Sequence, residues 1–167
     1  MTLVESVFER VIQGATLIVL ENADFFAERV NLKLRTRPRF YKGGGIIKRG
    51  NAGRQFVGYS PYLEGLPQAQ SMSWEYQHFY STPSSSRNSM ISGLRLETMY
   101  SDWIVSVGAQ DTKEILCALN RIGLGKGKVF LSTLSILPGL ASDKLSSVVA
   151  KKLLLNLIEC NSAQQEK

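Results

Sequence analysis

The sequence predicts an α/β fold: a layered sheet that is mostly parallel, with an antiparallel portion and helices on both faces. Near the C-terminus, within residues 125–137, a glycine-rich turn leads into a short apolar run with β-branched and aromatic members, which is typical of a buried strand. An amphipathic helix is expected to follow from Ser142 or Asp143. Near the N-terminus the continuous apolar run 15–20 indicates a second strand, buried on both faces and flanked by helices.

The N-terminal elements can be placed from their capping signals. Thr2 is expected to cap a first helix that Gly14 ends. Its apolar stripe consists of Leu3, Val4, Val7, Phe8 and Val11. Asn22 can cap a second helix that runs through Val30. Because the chain opens on a helix that should follow an earlier strand, we expect a fragment of a larger chain.

The middle of the chain is less regular. Glycines at 43–45 and 50–53 flank residues 46–49 and suggest a hairpin or an excursion from the sheet, and a turn-rich connection covers 60–67. Further strands are expected at residues 73–80, 93–100, 103–109 and 115–122. A serine-rich surface loop is expected at 81–89, and a loop at Pro138 and Gly139. We expect one domain over residues 1–160 and a polar tail at 161–167.

Composition bounds the functional class. The chain has 167 residues, of which 44% are hydrophobic and 20% charged, as in an ordinary globular domain with its own core. No apolar run reaches the length of a membrane span, so no membrane partner is expected. The first ten residues carry acids where a signal peptide would be basic and then apolar. If Met1 is the natural start, a cytoplasmic location is expected.

The net charge of +6 is concentrated between Arg29 and Arg54, and no acidic residue follows until Glu64. The patch proposed from this stretch consists of Arg35, Arg37, Arg39, Lys42, Lys48 and Arg49. If the three arginines alternate along an exposed strand, they form a positive stripe able to meet phosphates. The alternative is a solvated edge strand whose charges discourage aggregation.

Metal binding and thiol catalysis are not expected. The two cysteines, Cys117 and Cys160, lie in apolar stretches without CxxC spacing or neighbouring histidines. Neither has the small flanking residues that a nucleophile on a strand-to-helix elbow requires. Both are interpreted as buried small hydrophobic residues in a reducing compartment.

An aromatic segment surrounds the single histidine. In a strand, the period of two would place Trp74, Tyr76, His78 and Tyr80 on one face. Such a face can stack on sugar rings, while neighbouring polar groups bind hydroxyls. The alternative is an aromatic face packed in the core or against a neighbouring domain.

A second candidate ligand site follows the C-terminal strand. Ligands of open α/β sheets lie beyond the carboxyl ends of the strands, where Ser132, Thr133 and Ser135 are expected. The glycines at 123–127 match neither a Walker loop nor a dinucleotide fingerprint, so a tight turn is the better explanation.

Several segments together resemble the C-terminal accessory domain of glycoside hydrolase family 2 enzymes, the β-galactosidase and β-glucuronidase group. They are residues 14–20 (GATLIVL), 56–67 (FVGYSPYLEGLP), 72–77 (MSWEYQ), 125–134 (GKGKVFLSTL) and 149–158 (VAKKLLLNLI). The glycine–lysine–glycine strand opening also looks like trehalose-utilisation-type and glutamine-amidotransferase-like domains. The resemblance implies a flavodoxin-like or class I glutamine-amidotransferase-like sheet.

The resemblance also implies a non-catalytic role. In these enzymes the acid and nucleophile carboxylates lie on a barrel domain, and no segment of this chain looks like that barrel. The expected function is therefore that of an accessory domain supporting a catalytic module, oligomerisation or sugar binding, without catalytic residues, cofactor or metal. Implied partners are the catalytic domain of a parent glycosidase or further copies of the chain, with carbohydrate as a candidate ligand.

The sequence leaves two alternative functions open. One is a free-standing module that binds anions or nucleic acid through the basic stretch 29–54, although nucleic acid is not the expected partner. The other is a degenerate amidotransferase-like enzyme.

Overall fold

The computed structural model describes residues 2–33, 40–48, 55–76, 88–96, 101–109, 114–141 and 145–159. Its α-helices are α1 (Leu3–Gln13), α2 (Ala23–Lys33), α3 (Ile136–Leu140) and α4 (Leu145–Glu159). Its strands are β1 (Thr16–Val19), β2 (Phe40–Lys48), β3 (Gln55–Val57), β4 (Gln70–Ser71), β5 (Asn88–Leu96), β6 (Ser101–Ala109), β7 (Glu114–Leu124) and β8 (Gly127–Ser132). Two short 3-10 segments, Pro61–Leu63 and Trp74–Tyr76, follow β3 and β4. Among these residues, no helix has the length and apolar character that crossing a membrane requires.

The strands form one mixed sheet. Hydrogen-bonded neighbours follow the order β1–β8–β7–β6–β3–β4. Strand β5 pairs with β2 along its whole length and joins β7 where Leu94 lies opposite Cys117. Of the strand pairings in the described residues, only β1–β8 is parallel.

The expected fold class is therefore wrong: the sheet is mixed rather than mostly parallel, so the flavodoxin-like arrangement of helices on both faces of a mostly parallel sheet is not observed. Parallel neighbours need long crossover connections, usually helical, whereas short connections produce antiparallel pairs. Here β7 and β8 are joined by a tight turn, and the described residues between α2 and α3 contain strands and 3-10 segments but no α-helix. Helices α1 and α2 contact β8, whereas α4 contacts α3 and the 3-10 segments.

The turn between β7 and β8 explains two glycines. Gly125 has a φ of 62°, a left-handed conformation that favours glycine. A Cβ on Gly127 would lie 2.1 Å from the Ala15 carbonyl oxygen, so no larger residue fits there without a shift of the backbone. The tight turn expected from the sequence is confirmed, and its glycines allow the end of α1 to approach the sheet.

Helix α1 forms as its capping signals predict. The Thr2 hydroxyl accepts a hydrogen bond from the Glu5 amide, and the Glu5 carboxylate accepts one from the Thr2 amide at 2.7 Å. This reciprocal pair is a capping box, which satisfies amide groups that the helix cannot. Gly14 ends the helix with a φ of 129°.

Two hydrophobic clusters lie on opposite faces of β8, because its side chains alternate between them. Val129 and Leu131 join the first cluster, together with Phe8 and Val11 of α1 and three residues of α2. Those three are Ala23, Ala27 and Val30. Phe130 joins the second cluster, which continues through residues of β3, β6, β7 and α4 and through the segment 62–76.

Several expectations about single elements are corrected. The run at 15–20 forms β1, but only Val19 is buried, because β1 lies at the end of the strand order. Residues 74–76 form a 3-10 segment rather than a strand. Glycines 43–45 lie inside β2, which pairs with the distant β5 rather than with a neighbouring hairpin partner. The expected loop at Pro138 is the short helix α3.

Candidate functional site

The carboxyl ends of the parallel strands β1 and β8 meet where the sequence predicted a ligand site. Ser132 is 1% exposed, and its Oγ accepts a hydrogen bond from the Leu134 amide at 3.1 Å. The Thr133 hydroxyl donates to the Ala118 carbonyl oxygen at 3.3 Å, and its amide donates to the same oxygen at 2.8 Å. The Thr133 hydroxyl therefore holds the end of β8 against β7, whereas the Ser132 hydroxyl stabilises the turn that follows β8. This gives them a structural role at the strand end; their role as ligand groups stays a prediction.

The aromatic segment adopts a geometry different from the expected one. Trp74 and Tyr76 belong to a 3-10 segment, in which residues three apart share a face, so strand alternation does not align them. Tyr76 is 1% exposed, lies in the second hydrophobic cluster, and donates its hydroxyl proton to the Pro67 carbonyl oxygen. Tyr76 thus presents no open ring face to a sugar. His78 and Tyr80 lie outside the described residues.

The basic patch is described only in part. Arg35, Arg37, Arg39 and Arg49 lie outside the described residues, so the positive stripe stays a prediction. The other two members lie on β2, with Lys42 opposite Leu94 and Lys48 opposite Asn88.

Two flanking cations of the basic stretch make contacts within the chain. The Arg29 guanidinium lies 3.7 Å from the centroid of the Phe25 ring, and the Lys33 ammonium lies 2.9 Å from the Glu9 carboxylate. Such partly exposed pairs contribute little to stability. Because Arg29 and Lys33 already have these partners, less of their positive charge is available to bind a phosphate.

The thiol of Cys117 lies in the middle of the sheet. It is fully buried, with the carbonyl oxygens of Leu119 and Val105 at 3.2 and 3.4 Å from Sγ. Burial raises the pKa of the Cys117 thiol to about 12, and hydrogen bonding from Asn120 and nearby backbone only partly opposes this. Because the thiolate is the nucleophile, this cysteine is unreactive at neutral pH. Cys160 lies outside the described residues, among which no cluster of metal-ligating side chains occurs.

One face of the sheet carries aromatic residues that sequence reasoning missed. Phe56 lies opposite Ser106, and Ser106 lies opposite Cys117, so these three side chains share a face. Trp103 lies opposite Asn120, which in turn lies opposite Leu131 of the first cluster.

These two sets of residues lie on the same side of the sheet: the first is Phe56, Ser106 and Cys117, and the second is Trp103 and Asn120. Val57, next to Phe56, belongs to the second cluster on the opposite side, and Leu131 belongs to the first. We refer to this surface as the Trp103 face, defined by Phe56, Trp103, Ser106, Cys117 and Asn120. The side chain of Phe56 is 48% exposed and that of Trp103 is 38% exposed.

A β-bulge explains why Trp103 was missed. With regular alternation Trp103 would share a face with Val105, which is buried in the second cluster. The register between β6 and β7 shifts between Trp103 and Val105, so that Ile104 and Val105 are both buried and Trp103 points to the other side. No residue type in this stretch signals the bulge.

The Trp103 face also contains a buried amide. Asn120 is fully buried in the centre of β7, where its side chain hydrogen-bonds the Cys117 thiol and has no other hydrogen-bond partner. A buried amide with one thiol partner is uncommon, because a thiol replaces only part of the hydrogen bonding that water would supply.

Comparison with known proteins assigns neither a family nor a function to this chain. No protein-family model matches the chain, and searches of curated proteins and of solved structures find no significant match.

Proposed function

We propose that this chain is a non-catalytic accessory domain of a carbohydrate-processing enzyme of the glycoside hydrolase type. The observation that carries the proposal is the state of the nucleophile candidates. Ser132 and Thr133 are hydrogen-bonded at the end of β8, and Cys117 is buried as a neutral thiol. An enzyme of an α/β type would need at least one such group activated beside a base.

Three of the described carboxylates support the same proposal. Retaining glycoside hydrolysis uses two carboxyl groups roughly 5 Å apart across a cleft. Glu5 is engaged in the cap of α1 and Glu9 in the ion pair with Lys33. Asp102 pairs with Arg121 at 3.1 Å. These three acids therefore have structural partners rather than a cleft between them.

The sequence resemblance supplies the carbohydrate context. Its segments fall on β1, β8, α4 and the turn-rich connection after β3, which together supply much of both hydrophobic clusters. The fold that the resemblance implied is not observed, so the carbohydrate context of the proposal rests on the resemblance of these segments alone.

The proposal is tested with the purified chain and chromogenic aryl β-galactosides and β-glucuronides. We expect no turnover above buffer, with a complete β-galactosidase as the positive control. Turnover that disappears in Glu64→Gln or Glu75→Gln would contradict the proposal, because it would assign the chemistry to this chain. Turnover that survives both changes and stays with the protein through a further purification step would contradict the proposal as well, because the chain has 14 acidic residues and the two variants change only two of them.

A further inference from the structure

We propose that this chain forms a symmetric dimer through the outer face of α4, with the α4 helices of two copies packed antiparallel and centred on Leu155. The partner is therefore a second copy of the chain. The inference is independent of the proposed function, since it follows from the exposed side chains and the charges of one helix.

Helix α4 is apolar on its inner face and on its outer face. Three residues of the inner face are buried in the second hydrophobic cluster, namely Ala150, Leu153 and Leu157. On the outer face Val148 is 60% exposed, Leu155 49% and Ile158 50%. A helix that is apolar all round is normally covered on all sides, so this exposed outer face is typical of an interaction surface.

The exposed residues of the outer face form one stripe along the helix. We call this surface the α4 stripe, and its members are Val148, Lys151, Leu155, Ile158 and Glu159. Successive members are three, four, three and one positions apart, which places them on one side of an α-helix. At 1.5 Å per residue the stripe is about 16 Å long, so it can meet a second helix lengthwise.

The charges of the α4 stripe indicate what covers it. Lys151 lies four positions before Leu155 and Glu159 lies four positions after it, so opposite charges stand symmetrically about an apolar centre. When two α4 helices pack antiparallel with Leu155 facing Leu155, Lys151 of each copy faces Glu159 of the other. A parallel pair would place like charges together instead. A twofold interface requires such a self-complementary surface, and charges that flank an apolar seam set the orientation of paired helices.

Both charges lack a partner within the part of the chain that the structure describes. Neither Lys151 nor Glu159 forms an ion pair there. Glu159 is also the last residue of α4, where a negative charge opposes the helix dipole, and the last turn contains no basic residue. Lys151 of a second copy would bring a positive charge to this end of the helix, so dimerisation relieves an unfavourable feature of the single chain.

The apolar side chains complete the contact. The two Leu155 side chains would pack against each other at the centre, and Ile158 would lie against the methylene stem of Lys152 of the second copy. One helix per copy buries less than the roughly 800 Å² per partner of a standard stable interface. We therefore expect a weak dimer with a dissociation constant on the order of 100 µM.

The test is sedimentation equilibrium of the full chain from about 10 µM to about 1 mM, a range that brackets the expected dissociation constant. We expect mainly monomer at the lowest concentration and mainly dimer at the highest. Leu155→Lys places two like charges at the twofold axis and should abolish the dimer. Its melting temperature in dilute solution should stay unchanged, because Leu155 is half-exposed in the single chain. Leu32→Lys, the same change at an 84% exposed position of α2, is the matched control and should leave the dissociation constant unchanged.

Charge exchange tests the antiparallel orientation. Lys151→Glu should weaken the dimer about tenfold or more, because it replaces attraction by repulsion in both symmetric charge pairs. The double variant Lys151→Glu, Glu159→Lys restores opposite charges and should return the dissociation constant to within about threefold of the wild-type value. Parallel helices would show no such rescue, because like charges would still face each other.

Cross-linking tests the register. With helix axes about 10 Å apart and Cα atoms about 2.3 Å from each axis, two residues that face each other directly have Cα atoms about 5 Å apart, which a disulfide can bridge. Leu155→Cys should therefore form a covalent dimer under copper–phenanthroline oxidation. The background carries Cys160→Ser, so that the buried Cys117 is the only other thiol. Val148→Cys is the matched control and should stay monomeric, because its two copies would lie about 21 Å apart along the helix axis.

Three results would overturn the inference. A wild-type chain that stays monomeric at about 1 mM would assign the α4 stripe to a different partner, such as a separate catalytic module. A dimer whose dissociation constant is unchanged in Leu155→Lys would place the interface elsewhere. Failure of the charge exchange to restore association, together with cross-linking at Val148→Cys but not at Leu155→Cys, would contradict the antiparallel pairing. None of these results involves glycosidase turnover, so the dimer and the proposed function can fail separately.

Discussion

Replacing Asn156 with alanine should destabilise the domain, because this residue ties α4 to the turn-rich connection after β3. Its side chain is 4% exposed, and its Nδ2 donates to the Glu64 carbonyl oxygen at 2.8 Å and to the Tyr62 carbonyl oxygen at 3.2 Å. Tyr62 in turn packs edge-on against Phe130 of β8, with ring centroids 4.9 Å apart. The tether therefore holds part of the second hydrophobic cluster in place.

The expected loss of unfolding free energy in Asn156→Ala follows from the two carbonyl groups that lose their hydrogen-bond donor. Tyr62 is buried, so its carbonyl loses its partner away from water, at a cost of about 1–3 kcal/mol. Glu64 is exposed, so water can replace the lost bond there, and the cost is about 0.5–1 kcal/mol. The sum is about 1.5–4 kcal/mol, which lowers the melting temperature of a chain of this size by about 3–16 °C.

The assay is urea unfolding followed by circular dichroism, and the matched control is Lys151→Ala on an exposed position of the same helix. The control should change the free energy of unfolding by less than about 0.5 kcal/mol. If Asn156→Ala also stays within that margin, the tether between α4 and residues 62–64 does not stabilise the fold as argued.

The remaining predictions concern the turn, the thiol and the helix cap. Gly127→Ala should prevent stable folding, since its Cβ would overlap the Ala15 carbonyl oxygen, and a cooperative unfolding transition like that of the wild type would contradict this. Because burial raises the pKa of Cys117 to about 12 from 9.0, its contribution to stability is complete below pH 9 and declines above it. Above pH 9 the unfolding free energy of the wild type should therefore fall by about 1.4 kcal/mol per pH unit relative to that of Cys117→Ala. Urea unfolding of both proteins measures this difference, and a difference that stays constant with pH would refute the burial of the thiol. Hydrogen bonds from the Thr2 amide and hydroxyl lower the pKa of Glu5 below its ordinary value of 4.5. The stabilising effect of the α1 cap should therefore be complete above pH 4.5 and be lost as the pH falls through the lowered pKa. Nuclear magnetic resonance of the Thr2 amide should follow this acid transition in the wild type and not in Glu5→Gln, and a Thr2 signal that does not respond to pH would show that the capping box does not form.

Local signals in the sequence were sufficient for the elements whose causes are local. The Thr2 cap, the Gly14 stop, the strand that ends at Ser132 and the strand at residues 115–122 all lie where the sequence predicts them. The cap and the turn act through bonds between residues only a few positions apart. Such contacts can be inferred without knowing how the chain is arranged in space.

The direction of strand pairing was not predictable in the same way. A continuous apolar run favours burial, but β1 and β8 are the only parallel neighbours described, and β2 finds its partner in the distant β5. The alternation of aromatic and polar residues at 73–80 matches a strand, yet Trp74–Tyr76 is a 3-10 segment. Tertiary contacts, such as that of Tyr76 with Pro67, outweigh the local pattern there.

The candidate site was missed for a related reason. Trp103 was placed in a strand correctly, but the bulge beside it reverses the face on which its side chain lies. Asn120 lies in the strand predicted at residues 115–122, but only the pairing of β7 with both β6 and β8 shows that it is buried at the centre of the sheet. A residue's burial and a strand's irregularities are properties of the assembled sheet rather than of a sequence window.

The accessory role is tested most directly by the natural transcript that contains this sequence, read in both directions from residues 1–167. We expect the same reading frame to encode a barrel-type catalytic module with paired glutamates, to which this domain would be attached. Stop codons that bound the sequence on both sides, with no such module in frame, would contradict the proposal that the chain is an accessory domain of a glycoside hydrolase.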